Sequence, residues 1–67
     1  MSDIARVTEI SARSPESFEA AIRLGVKRAT ETLRGVTAAW VKDQQVKVQG
    51  NEVVEFQVNM LVTFVLE

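Results

Sequence analysis

Every even position from 54 to 66 is apolar: Val54, Phe56, Val58, Met60, Val62, Phe64 and Leu66. That is the two-residue period of a β-strand with one buried face. The odd positions mix Glu55, Gln57, Asn59 and Thr63 with Val53, Leu61 and Val65, so the other face is only half polar. The pattern predicts a long strand from Val53 to Glu67. Upstream, Val36, Ala38, Trp40, Val46 and Val48 recur with the same period between Val36 and Gln49, which predicts a second strand with these residues on one face. Gly50-Asn51 between the two strands is a two-residue hairpin turn. Residues 4–11, rich in β-branched side chains, read as a first strand.

Between the first and second strands the spacing changes to three and four: Phe18, Ala21, Ile22, Gly25, Ala29 and Leu33. This predicts an amphipathic helix of about twenty residues. Ser14 is its expected N-cap, with Pro15 at the first helical position and Glu16 facing the positive end of the helix dipole. Glu19–Arg23 and Lys27–Glu31 are spaced to pair on the far side. Arg34 falls in the last turn and Gly35 follows as the C′ residue.

The order is β-α-β-β. A helical connection makes the first two strands parallel, and the hairpin sets the third antiparallel to the second. Placing the third strand in the middle gives a fully antiparallel sheet, order 1-3-2, with a right-handed crossover. Fourteen strand residues span roughly 46 Å, whereas twenty helical residues span about 30 Å. The helix therefore leaves part of the sheet uncovered. Leu61 and Val65 on the nominally outer face favour a second chain as the cover.

The 67 residues allow one domain, spanning residues 1–67, and a chain this short buries only about 60% of its unfolded surface. It has no cysteine and no histidine, so disulfides, thiolate metal sites, thiol nucleophiles and imidazole bases are excluded. Oligomerisation is the remaining way to stabilise so small a core. Eight Lys+Arg against nine Asp+Glu give a net charge of −1, which argues against nucleic acid as a partner. The first residues lack the charged-then-apolar pattern of a leader, and no apolar run reaches spanning length. The expectation is a soluble cytoplasmic protein that does not act at a membrane.

The carboxylates Glu9, Glu52, Glu55 and Glu67 are scattered, and none is spaced with another for acid–base work. An enzyme would need Lys27 or Lys42 desolvated in a cleft, and no pattern calls for that, so we expect no catalytic residues. Asp43 opposite Glu55 across the hairpin is a weak signal for a hard cation at a subunit junction, and no metal site is assigned from it. Trp40, the only tryptophan, has two readings. It is an aromatic packing against a neighbouring subunit, or a flat ring on which a planar ligand stacks, with Ala38 and Ala39 leaving room beside it. Gln57, on the non-core face of the third strand, is its companion, since one amide offers two donors and an acceptor.

The arrangement resembles a dodecin. The likeness runs through Arg6-Val7-Thr8-Glu9-Ile10, then Ser14-Pro15-Glu16-Ser17-Phe18-Glu19-Ala20-Ala21-Ile22, Arg28-Ala29 and Thr32-Leu33-Arg34. It closes with Phe56-Gln57-Val58-Asn59-Met60 and Phe64-Val65-Leu66-Glu67. The resemblance implies a β-α-β-β protomer whose sheet wraps one helix, and a homododecameric shell built from trimers. It implies a non-enzymatic protein that stores or sequesters flavin, FMN or riboflavin, as stacked pairs at subunit interfaces. It also implies that coenzyme A is a possible ligand. The cofactor-binding residues it suggests are Trp40, Gln57, Ala38 and Gln45. Aligned through Leu33-Arg34 and Val41, the family's stacking tryptophan falls on Ala38, with Trp40 two residues along the same face. The arginines that bacterial members place near the flavin phosphate fall on Gln45 and Val65. The alternative reading is a dodecin-like cage without flavin, with a structural, coenzyme A-binding or cation-binding role at groups such as Asp43, Glu55 and Asn59.

Overall fold

A computed structural model of the chain describes residues 2–66. Strand β1 (Ile4–Ser14), helix α1 (Phe18–Thr32), strand β2 (Val36–Gln49) and strand β3 (Glu52–Leu66) follow in that order. Glu67, expected as the last residue of the third strand, lies outside the described residues, as does Met1. The sheet order is β1-β3-β2, and β3 runs antiparallel to both neighbours. This is the arrangement the chain order and the alternation predict.

The alternating face of β3 forms the core. Val58, Met60 and Val62 are fully buried beneath α1, which contributes Ala21, Gly25 and Ala29, while β1 contributes Ala12. Small residues on the buried stripe let the helix lie close to the sheet. A Cβ at Gly25 would run into the terminal methyl of Met60 and stand 3.1 Å from the Ala12 Cβ. At the start of the helix, Phe18 meets Phe56 edge to face, with ring centroids 5.1 Å apart, a favoured aromatic geometry.

The first strand is longer than its β-branched content suggests, and the helix shorter. Ser14 is not the N-cap. The residue before a proline is held extended, and Ser14 stays in β1, paired with Phe56. Its hydroxyl accepts from the Glu16 backbone amide at 3.0 Å, which turns the chain. Ser17, extended at φ −172° and ψ 167°, is the actual cap, and its side chain accepts from the Ala20 amide at 2.9 Å. Pro15 and Glu16 therefore lie in the turn ahead of the helix. At the other end the helix stops at Thr32, where the Thr30 and Thr32 hydroxyls bond back to carbonyls of the preceding turn, a competition that weakens helix ends. Arg34 lies past the end. Gly35, at φ +71°, makes the turn into β2, and its carbonyl accepts from the Val65 amide at 3.0 Å. Glu19 pairs with Arg23 as expected, but Glu31 pairs with Arg28 at i,i+3 rather than with Lys27, since three- and four-residue neighbours are both in reach on a helix.

The second strand does not keep one apolar face. Its pairing with β3 skips Thr37, Lys42 and, on the β3 side, Val54. Each skipped residue is a β-bulge, and each shifts the alternation by one. Val36, Val41 and Val46 therefore lie opposite Phe64, Met60 and Phe56 on the helix side, whereas Ala38 and Trp40 lie opposite Thr63 and Leu61 on the other side.

The hairpin closes at Gly50, φ +62°, followed by Asn51 at negative φ, the order of a type II′ turn. Because Phe56 already meets the first residue of α1, everything from Val46 to Val54 projects past the helix. Val46, Val48, Val53 and Val54 are exposed there. The protomer is 51 Å long, with a radius of gyration of 13.9 Å, against about 11 Å for a compact domain of this length.

Candidate functional site

Opposite residues of an antiparallel pair point to the same face, so the strand pairing defines the side of the sheet away from the helix. Its middle line is Gln57, Asn59, Leu61, Thr63 and Val65 of β3. On the β1 flank stand Arg13, Ser11, Glu9, Val7 and Ala5, and on the β2 flank Gln45, Asp43, Trp40 and Ala38. Among the described residues, no element covers this face.

Its polar end is joined by hydrogen bonds running across all three strands. The Arg13 Nε donates to the Gln57 Oε1 at 3.0 Å. The Gln57 Nε2 donates to the Asn59 Oδ1 at 3.1 Å, and the Ser11 hydroxyl donates to the same oxygen at 2.7 Å. The Asn59 Nδ2 in turn donates to the Asp43 carboxylate. Gln57 and Asn59 come from one strand and stand two residues apart, which puts their amides in register along one face. Arg13 and Ser11 arrive from β1, and Asp43 from β2.

Trp40 lies in a different row, Glu9–Leu61–Trp40, and is 67% exposed. The bulge at Lys42 lets that lysine reach over the row to Glu9, with Nζ 3.6 Å from Oε2 and both side chains half exposed. Such a pair is worth about 0–1 kcal/mol, and it leaves Lys42 unlike a desolvated catalytic amine. Towards the free edge of β2, Ala38 and Ala39 line a shallow groove with Ile22 and Val26 of the helix.

The strand pairing thus brings some expected residues together and separates others. Gln45 lies directly opposite Gln57. Trp40 pairs with Leu61 and Ala38 with Thr63, which sets them about 13 Å and about 20 Å along the sheet from Gln57 at roughly 3.3 Å per residue. All four share a face, but Trp40 and Gln57 of one chain do not form a single contact site. Asp43 and Glu55, expected to face each other, do not: Asp43 opposes Asn59 and Glu55 opposes Lys47. Among the described residues, no group of three or more acidic side chains is placed to hold a metal. Arg13 and Ser11 were not anticipated. Their contact with the amides depends on the register between strands more than forty positions apart in the chain, and no local motif carries it.

The fold defines a class of small proteins in which a three-stranded antiparallel sheet carries one helix on one face and leaves the other bare. The dodecin family model matches residues 4–67, and the chain belongs to the dodecin family. A comparison with curated proteins returned no match. Among solved structures, the dodecin from Streptomyces davaonensis superposes with a TM-score of 0.93 at 33% identity, covering 100% of this chain and 98% of that one. The Streptomyces coelicolor dodecin gives 0.92 at 32% identity, covering 97% and 93%. An arginine-to-alanine mutant of the Thermus thermophilus dodecin gives 0.92 at 33% identity, covering 98% of each chain.

Proposed function

We propose that this chain is a non-enzymatic, cytoplasmic flavin-binding dodecin: a homododecamer built from trimers that stores or sequesters FMN or riboflavin as stacked pairs at its subunit interfaces. The observation that carries the reading is the bare sheet face, on which an exposed Trp40 stands with the facing glutamines Gln45 and Gln57. Trp40 supplies the stacking surface, Gln57 bonds the ring edge, Gln45 borders that contact, and Ala38 leaves width beside the tryptophan. The separation of Trp40 from Gln57 within one chain means that a ring touching both is held between copies. Offset stacking on an aromatic contributes about 0.5–1.5 kcal/mol per pair beyond burial.

The test is quenching of flavin fluorescence on titration with apo-protein. Wild type should quench at micromolar concentration, and Trp40→Ala and Gln57→Ala should each weaken binding at least severalfold. If Trp40→Ala quenches like wild type, this assignment of the site fails. A second reading is favoured by one observation: Ala38, Gln45 and Val65 stand where the family likeness puts a tryptophan and two arginines. On that reading the shell carries no flavin and holds coenzyme A, or a cation at a symmetry axis. The absorption spectrum of the purified protein separates the two.

A further inference from the structure

The hydrogen-bonded strip that ends at Gln57 has a direction, and its two ends impose it. A carboxylate only accepts and a guanidinium only donates. Asp43 therefore draws the Nδ2 side of Asn59 towards itself, which turns the Asn59 Oδ1 towards β1 and Gln57. That oxygen already receives Ser11 and Gln57, so the Gln57 Nε2 must face Asn59. The Gln57 Oε1 then faces Arg13, which is able only to donate. An amide whose two ends look alike in shape is thus held in one orientation by a donor-only group at one end and an acceptor-only group at the other.

We propose that Asp43, Asn59 and Arg13 are positioning residues that fix the polarity of the Gln57 amide and thereby select the ligand edge it accepts. After its contacts with Arg13 and Asn59, Gln57 retains one free N–H and one free lone pair, side by side. The matching ligand edge is a ring carbonyl next to a ring N–H, as in a cyclic imide. The proposal rests on the reading of Gln57 as a ligand contact. Asp43 touches no ligand in this scheme and acts only through Asn59. Arg13 still only donates in Asp43→Asn, so the sharp variant changes both ends: in Asp43→Asn/Arg13→Gln each end can accept or donate, and Asn59 and Gln57 are then free to turn over together.

Two measurements test this. The first is a neutron crystal structure of the ligand-free protein, which locates the amide deuterons. The expected result has the Gln57 deuterons on the atom facing Asn59 and the Asn59 deuterons on the atom facing Asp43; the reverse orientation of either overturns the proposal whether or not a flavin binds. The second is titration of riboflavin against 3-methylriboflavin, whose imide N–H is blocked. Wild type should prefer riboflavin by about tenfold, the size of one lost hydrogen bond, and equal binding of the two ligands overturns the imide edge as the edge Gln57 accepts. In a neutron structure of Asp43→Asn/Arg13→Gln the Gln57 and Asn59 deuterons should be spread over both orientations, and a single orientation the same as in wild type overturns the roles of Asp43 and Arg13. Should wild type bind neither flavin, the functional reading fails, and the neutron result alone decides the polarity.

Discussion

Ser17 and Ser14 show how two identical side chains three positions apart come to do different work. Ser17 accepts from the Ala20 amide and satisfies one of the helix's unpartnered donors. Ser14, six per cent exposed and paired in β1, accepts from the turn instead. Ser17→Ala should therefore cost about 1 kcal/mol, and Ser17→Asp, which keeps a side-chain acceptor, much less. Urea unfolding at fixed protein concentration reads the difference, and equal losses for the two variants would show that the oxygen is not what matters. A serine before a proline announces a chain reversal, but the sequence does not say which serine caps the helix. The choice falls to the pairing of Ser14 with Phe56, a contact between residues far apart in the chain. Gln57 carries the same lesson at the site: its amide chemistry is legible from its type and its odd position, whereas Arg13, which orients it, is visible only once β1 and β3 are in register.

At the scale of elements, the helix stripe and the even face of β3 are readable because both are written in large apolar residues against polar ones. The second strand is not, since Thr37, Ala38 and Ala39 are small, and Lys42 to Gln45 are polar. In such stretches the period of two cannot be followed, and a bulge leaves no mark. The bulges still decide the site, because they carry Trp40 and Asp43 to the outer face while keeping Val41 and Val46 on the inner one. Deleting Lys42 joins Val41 to Asp43 directly and restores a regular ladder without turning either residue over. The expected loss is under about 1 kcal/mol, the value of the exposed pair with Glu9. Deleting Val58 instead slips one half of the central strand by a residue and exchanges its buried and exposed faces, so no folded protein is expected. Circular dichroism with chemical denaturation compares the two; a Lys42 deletion that unfolds the chain would show that the bulge is essential to the sheet.

At the scale of the whole molecule, the protomer is an open shape around a small core. Among the described residues six apolar side chains are buried, three of them alanines, while Trp40, Val7, Leu24 and the valines of the hairpin arm are exposed. The shape is that of an arm extending from a small core, and an arm with apolar residues on it is stable when other copies cover it. The resemblance to dodecins implies twelve copies, and the bare sheet face is the surface that assembly would cover. Leu61 sits at the centre of that face, flanked by Glu9 and Trp40, and Val65 lies one row beyond Thr63. A carboxylate at position 65 would be buried without a partner at a contact, a cost of several kcal/mol per ion, and at position 61 it would stand beside Glu9 with only Lys42 to share between the two. Leu61→Glu and Val65→Glu should therefore sediment as species far below twelve times the 7.5 kDa protomer. Lys27→Gln, an equal change in net charge on the exposed side of the helix, should leave the particle intact. Analytical ultracentrifugation at micromolar concentration, with circular dichroism to follow the protomer, separates loss of assembly from loss of fold. Wild-type protein sedimenting as a monomer or dimer would refute the dodecamer, and Leu61→Glu sedimenting like wild type would place the contact elsewhere than on this face.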